Sequence, residues 1–312
     1  MTHRATSVAY LGPQGTFTEE ALLTQPDYAA AALVPLPQIV DVLDAVAAGR
    51  ADLGLVPIEN AIEGSVNAAL DGLVFDYDLL IQREVVVDIH LHLMAPRGCR
   101  LDDVRRIVSI PVALAQCQKF VHARLPGVEQ VASNSTAEAA RLLGEHADPG
   151  VAAIAPRLAA DLYGLAVIAD DVEDHPDNQT RFVSVARHGI PAPTGHDRTS
   201  IVCFQRDDRP GSLHGILGQF AARDINLTKV ESRPTKRSLG DYCFVIDLAG
   251  HIGDELVADC LRALHAELSA VKFLGSYPAA GAQGPARRRE AGDAWRAADR
   301  WLGELRSQIA TP

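Results

Sequence analysis

The sequence is short of the features that would assign it quickly, and each shortage excludes something. Its five cysteines, Cys99, Cys117, Cys203, Cys243 and Cys260, form no Cys-x-x-Cys pair and leave an odd count, which argues against a disulfide framework or a structural zinc site. Basic residues are in deficit: 29 Lys and Arg stand against 40 Asp and Glu, a net charge of −11. A broad nucleic-acid-binding surface is basic, so none is expected, and an anionic ligand would need a local cationic pocket. No apolar run approaches the ~20 residues that cross a bilayer. Met1–Ala9 holds no apolar stretch of signal-peptide length, so a cytoplasmic location is the simplest expectation. The 11 histidines contain no His-Glu-x-x-His, and neither a Gly-x-Ser-x-Gly elbow nor a P-loop or Gly-x-Gly-x-x-Gly fingerprint occurs. No metal-ligand cluster, serine-hydrolase elbow or nucleotide-phosphate loop is therefore indicated by motif. What remains is ordinary globular composition, 47% hydrophobic and 22% charged over 312 residues, enough for about two domains.

The first ~187 residues alternate short apolar runs with helical patterns, the signature of α/β layering and largely parallel sheets. Ser7–Leu11, Ala51–Ile58, Val85–Met94, Gly150–Ala155 and Ala166–Asp170 read as strands, and Pro111–Leu125 as one helix with proline in its first turn. Ser135-Thr136-Ala137-Glu138 fits a capping box. Gly189, Pro191, Pro193 and Gly195 mark residues 188–198 as a linker. Beyond it, residues 199–278 read βαββαβ, a ferredoxin-like order. The tail, 279–312, has Trp295, Ala298, Leu302, Leu305 and Ile309 at helical spacing, as a loosely docked terminal helix would.

Four polar clusters in the first domain sit where strands meet helices. Gly12-Pro13-Gln14-Gly15-Thr16-Phe17 is either an anion cradle or a tight turn. Glu59-Asn60 sits just past the strand ending at Ile58, where α/β sheets place ligand contacts or plain polar turns. Ser133-Asn134-Ser135-Thr136 is a binding junction or a helix cap. Asn178-Gln179-Thr180-Arg181-Phe182 sets an arginine beside a hydroxyl, a pairing suited to a carboxylate and a leaving oxygen, or to a surface ion pair with the nearby acids. His90 and His92 share a strand face but have no third ligand nearby in sequence.

Taken in order, these four clusters resemble those of prephenate dehydratases, and Gly211-Ser212-Leu213-His214 with Glu231-Ser232-Arg233-Pro234 resembles the effector signatures of their C-terminal ACT domain. The resemblance spans about residues 6–278. It implies two α/β subdomains forming a periplasmic-binding-protein-like cleft over 6–187, then an ACT regulatory domain over 199–278. It departs at Ala61, where the family commonly has Ser, and at Ser109-Ile110-Pro111-Val112, where it often has Ser-His-Pro-Gln; a role for that histidine is excluded here. With the first motif at Gly12 there is no room ahead of it for the chorismate mutase domain of bifunctional relatives, so the monofunctional form is expected.

The implied reaction is decarboxylating dehydration of prephenate to phenylpyruvate, without metal or redox cofactor, because aromatisation drives it. The resemblance assigns Thr180 as donor to the departing hydroxyl and Arg181 as a carboxylate anchor. Asn60 becomes an anion contact, and Glu59 a group that orients Asn60 or Arg181 or else donates a proton. Gln14, Gly15, Thr16, Ser133, Asn134, Ser135, Thr136, Asn178 and Phe182 complete the substrate contacts. Phenylalanine is the implied effector, bound between subunits of a dimer or tetramer by Gly211, Ser212, Leu213, His214, Asn226, Glu231, Ser232, Arg233 and Pro234. Two other readings remain: an arogenate dehydratase, differing only in substrate, and a non-catalytic amino-acid sensor, which would not need Thr180 with Arg181.

Overall fold

The computed structural model describes residues 6–206, 209–237, 240–281, 297 and 300–308. These form two compact units. Of the described residues, one unit comprises those from 6 to 78 and 85–187, the other 79–84 and those from 188 on.

The first unit has two α/β lobes. In the first lobe, strands run in the order Ala32–Leu36, Ser7–Leu11, Leu53–Asn60, Gln179–Ala186 and Leu80–Asp88, with the short Gly64–Ser65 strand folded onto Leu53–Asn60. Ser7–Leu11 is parallel to both neighbours. Val8, Ala9 and Tyr10 are fully buried, as a central strand covered on both faces requires. The second lobe orders Ala166–Ala169, His92–Ala95, Val151–Ala155, Arg106–Ser109 and Glu129–Ala132. Separate apolar clusters cover its two faces, one built around Leu93, Ile107 and Ile154, the other around Met94, Ala140 and Ala153.

Three expectations change here. Val85–Met94 is not one strand: Leu80–Asp88 ends in the first lobe and His92–Ala95 begins the second. Between them the backbone N–H groups of Ile89 and Leu91 donate to Asn178 and Glu173 instead of to a ladder. Pro111–Leu125 divides into helices Pro111–Ala115 and Gln118–Arg124, with Gln116 and Cys117 at the break. The sheets are mixed rather than largely parallel, because the strand Gln179–Ala186 returns to the first lobe antiparallel to Leu53–Asn60. The acidic run before it hides that strand from a reading by pattern.

The second unit carries an antiparallel sheet ordered Leu227–Pro234, Tyr242–Ala249, Asp197–Phe204, Ala270–Pro278, the ferredoxin-like arrangement. Helices Ser212–Ala221 and Glu255–Glu267 cover one face through Ile216, Phe220, Cys260 and Leu264. Within this unit Glu84, nearly fully buried, lies 3.3 Å from the Arg198 guanidinium, which also faces Asp247 at 3.7 Å. Gly275, at φ +145°, runs against the segment 79–84; a Cβ there would meet the Ile81 carbonyl oxygen at 2.6 Å. Of the tail, residues 300–307 are helical, with Trp301, Leu302 and Leu305 exposed; Trp295, Ala298 and Ile309 lie outside the described residues. Among the described residues no helix is long and apolar enough to cross a membrane.

Candidate active site

Between the lobes of the first unit lies a cavity of about 1120 Å³, lined on its apolar side by residues such as Phe17, Pro57, Leu91 and Phe182. That is ample for a small ring acid. Its polar side is built by strand alternation. Successive side chains of a strand point to opposite faces, so Thr180 and Phe182 face the cavity while Arg181 between them does not line it. On the partner strand the register runs Thr180 opposite Asn60, Arg181 opposite Glu59, then Phe182 opposite Pro57. The extra residue, Ile58, is a bulge that changes which side chains face the cavity, and both Asn60 and Pro57 line it.

Asn60 begins a polar chain whose direction is fixed by the backbone. Its Oδ1 accepts from the N–H groups of Ile62 and Glu63, both at 3.0 Å. Its Nδ2 must therefore donate, to Asn178 Oδ1 and to Thr180 Oγ1, each at 2.9 Å. Asn178 Nδ2 in turn donates to Gln116 Oε1 at 3.1 Å, and Gln116 Nε2 donates to Glu63 Oε1 at 3.1 Å. Asn178, Gln116 and Thr180 are buried. The Thr180 oxygen is occupied as an acceptor, which leaves its O–H to donate elsewhere. Gln116 and Glu63 are absent from the sequence-derived site. Reading 111–125 as one unbroken helix gave no reason to single out the residue at its break.

Arg181 and Glu59 pair with each other instead, Nη2 to Oε2 at 3.0 Å, the arginine side chain largely buried. Arg181 and Glu59 are both outside the cavity lining, and each is the other's ion-pair partner. At the first loop, Gly15 has φ +86° and its N–H donates to Glu19 Oε2 at 2.5 Å. Thr16 Oγ1 donates to the Leu11 carbonyl and accepts from the Glu19 N–H. Gln14 and Thr16 line the cavity, Gly15 does not. Across from them, Ser135 caps the helix Thr136–His146 by accepting from Glu138 N–H at 2.9 Å, and Ser133 Oγ donates to the Ser135 carbonyl. Asn134, Ser135 and Thr136 line the cavity, Ser133 does not. Further along the same helix Glu138 and Arg141 line it as well, with Tyr163 beside them. Burial raises the Tyr163 phenol, Arg141 opposes this, and Glu19 and Glu145 add to it; the hydroxyl donates to the Gln14 carbonyl at 2.7 Å.

His90 does acquire partners that spacing could not show: Glu173 Oε1 at 3.1 Å and Asp171 Oδ1 at 3.6 Å from Nδ1, a set with the geometry for a metal ion. The hydrogen bond to Glu173 raises the His90 imidazole against the opposing effect of burial. In the second unit, Gly211 caps its helix at φ +88°, with Ser212, Leu213 and His214 in the first turn. Glu231 holds Lys229 Nζ at 3.2 Å and Arg233 Nη1 at 3.3 Å along the edge strand, while Ser232 and Pro234 are exposed at the alternate positions. Strand alternation thus divides that signature between the two faces of the sheet. The Asn226 carbonyl accepts from Ala249 N–H.

A two-lobed α/β cleft lined by a buried amide–hydroxyl chain, in a chain that also carries a ferredoxin-like unit, defines a small-molecule-binding protein of two domains. The prephenate dehydratase family model matches residues 8–190 and the ACT domain model residues 199–266. The prephenate dehydratase of Mycobacterium tuberculosis (strain H37Rv) is 41% identical over 96% of this chain and 94% of its own. That of Mycolicibacterium vanbaalenii is 44% identical over 87% and 90%. The crystal structure of prephenate dehydratase in complex with L-Phe from Arthrobacter aurescens superposes with a TM-score of 0.87 at 42% identity, covering 96% of this chain and 99% of that one. The chain belongs to the prephenate dehydratase family and carries its ACT domain.

Proposed function

We propose that the protein converts prephenate to phenylpyruvate, with Thr180 donating to the departing ring hydroxyl. In this reaction the ring carboxylate leaves as carbon dioxide, its bonding electron pair enters the ring, and the hydroxyl on the opposite ring carbon departs. One proton taken up makes that hydroxyl water and balances the step. The observation that carries the reading is the direction of the polar chain: Asn60 Nδ2 occupies the Thr180 oxygen, so the O–H is available to the substrate. A hydroxyl with a pKa far above neutrality is a poor acid, so it acts by hydrogen bonding while charge builds on the leaving oxygen. The apolar wall serves the other end of the ring, where a scissile carboxylate held by few donors loses carbon dioxide more readily than a tightly paired one. Arg181 and Glu59 brace the strand pair that carries Thr180 and Asn60, as a cross-strand ion pair does. The assay is phenylpyruvate formation from prephenate by purified protein, with arogenate in parallel. Preferential turnover of prephenate is expected; turnover of neither substrate by folded protein would leave the sensor reading.

The second unit, in this reading, binds phenylalanine in a homo-oligomer, as supported by its family match and by the L-Phe complex of the Arthrobacter aurescens relative. Gly211 brings backbone close to a ligand at a helix start. Added phenylalanine is expected to suppress turnover, and Gly211→Leu, whose side chain is strained at φ +88°, to raise the half-inhibitory concentration about tenfold or more. Equal inhibition of both proteins would remove Gly211 from the effector site.

A further inference from the structure

The chain-wide excess of acid makes the cations of the cavity a question in themselves. Prephenate is a dianion, and among the described residues lining the cavity the one Lys, Arg or His is Arg141; the lining acids are Glu63 and Glu138. Glu63 receives Gln116 and Glu138 receives the Asn134 N–H, so both carboxylates already serve the protein's own donors. Arg181, the cation nearest Thr180 in sequence, is committed to Glu59 outside the lining.

We propose that Arg141 is the carboxylate anchor of the cavity, and that the group it holds is the side-chain carboxylate of the substrate rather than the ring carboxylate. This rests on the prephenate reading above. Arg141 stands on the helix Thr136–His146 of the second lobe, one stripe along from Asn134 and Glu138, whereas Thr180 stands on a strand of the first. In the substrate the leaving hydroxyl is at the opposite pole of the ring from the carbon that bears the ring carboxylate and the oxo-acid side chain with the second carboxylate. Binding the hydroxyl at Thr180 therefore directs the carboxylate pole toward the other lobe. Guanidinium is well matched to a carboxylate. The Arg141 side chain is 38% exposed and held by Glu145 at 2.6 Å across one helical turn, a surface-type pair that a ligand carboxylate can share or displace. The choice between the two carboxylates follows from the chemistry. An arginine clamped on the scissile carboxylate stabilises the ground state more than the transition state, in which that charge is leaving, and so opposes reaction. The side-chain carboxylate keeps its charge throughout and gives uniform binding.

The two assignments separate experimentally because phenylpyruvate keeps the side-chain carboxylate and has lost the ring one. For Arg141→Ala the expected result is a KM for prephenate raised about 10- to 100-fold with kcat within about threefold, the loss of one charge-assisted contact. The inhibition constant of phenylpyruvate rises by a similar factor, and Arg141→Lys recovers part of both. An unchanged phenylpyruvate inhibition constant overturns the proposal, as does a rise in kcat, which would place Arg141 on the scissile group. Wild-type turnover is measured first. If the wild type turns over neither prephenate nor arogenate, the functional reading has failed; if the wild type is active and Arg141→Ala is indistinguishable from it, this proposal alone has failed. Thermal unfolding of each variant shows whether the fold is kept.

Discussion

Thr180→Val lowers kcat for prephenate by about 10²- to 10³-fold, the cost typical of removing one positioned donor to a developing oxyanion. The substitution keeps size and β-branching, and Thr180 sits in a strand where valine is favoured. The fold is kept, while Asn60 Nδ2 retains Asn178 as acceptor. KM changes little, because the contact strengthens as the hydroxyl departs rather than on binding. Thr180→Ser, which restores the O–H with a freer rotamer, recovers most of the rate. Steady-state kinetics on the three proteins checks this. Near-wild-type turnover by the valine variant would remove Thr180 from the chemistry and leave the polar chain a structural device.

Glu84→Ala destabilises the second unit by about 3 kcal/mol, the low end for breaking a buried ion pair. Glu84 is 6% exposed and accepts from both Arg198 and the Ala280 N–H. Removing it leaves Arg198 facing Asp247 alone, at 3.7 Å, while Asp247 also accepts from Ser200 Oγ at 2.6 Å. The loss is therefore less than that of a charge stripped of every partner. Glu84→Gln keeps an acceptor of the same shape and loses less. Urea unfolding followed by a probe in the second unit reads the difference. An unchanged midpoint for Glu84→Ala would show that the cluster adds nothing net, as some buried pairs do.

The ferredoxin-like unit was the most legible part of the sequence. Its helices have clean apolar faces, Ile216 and Phe220 on one and Val257, Cys260 and Leu264 on the other, and its strands are long and bounded by turns. In the first unit the polar clusters were legible as groups, but their internal geometry was not. Whether Arg181 or Thr180 faces the cavity depends on strand parity, and the strand Gln179–Ala186 lay behind an acidic run. The bulge at Ile58 shifts that parity on the neighbouring strand without any glycine to announce it. Gln116 was hidden by a helix break that apolar spacing does not mark. Arg141 was nearer to hand: once Ser135 opens the helix, positions 138, 141 and 145 follow on one stripe.

The second unit is discontinuous in the chain, taking residues 79–84 together with those from 188 onward. This bears on the order in which it can be made. Leu79–Glu84 leaves the ribosome roughly a hundred residues before its partners, and the unit cannot be completed until that span closes. For a flexible loop of this length the closure entropy is on the order of 4 kcal/mol from the length-dependent term alone. The unit is accordingly not bounded by a single cut in the chain. A graft beginning at His188 would lack the carboxylate facing Arg198 and the backbone that covers Gly275. A catalytic fragment ending at Arg187 would keep Leu79 and Ile81 without the unit in which they are grouped. A swap of this unit for another has therefore two segments of chain to account for, the shorter of which lies inside the catalytic sequence.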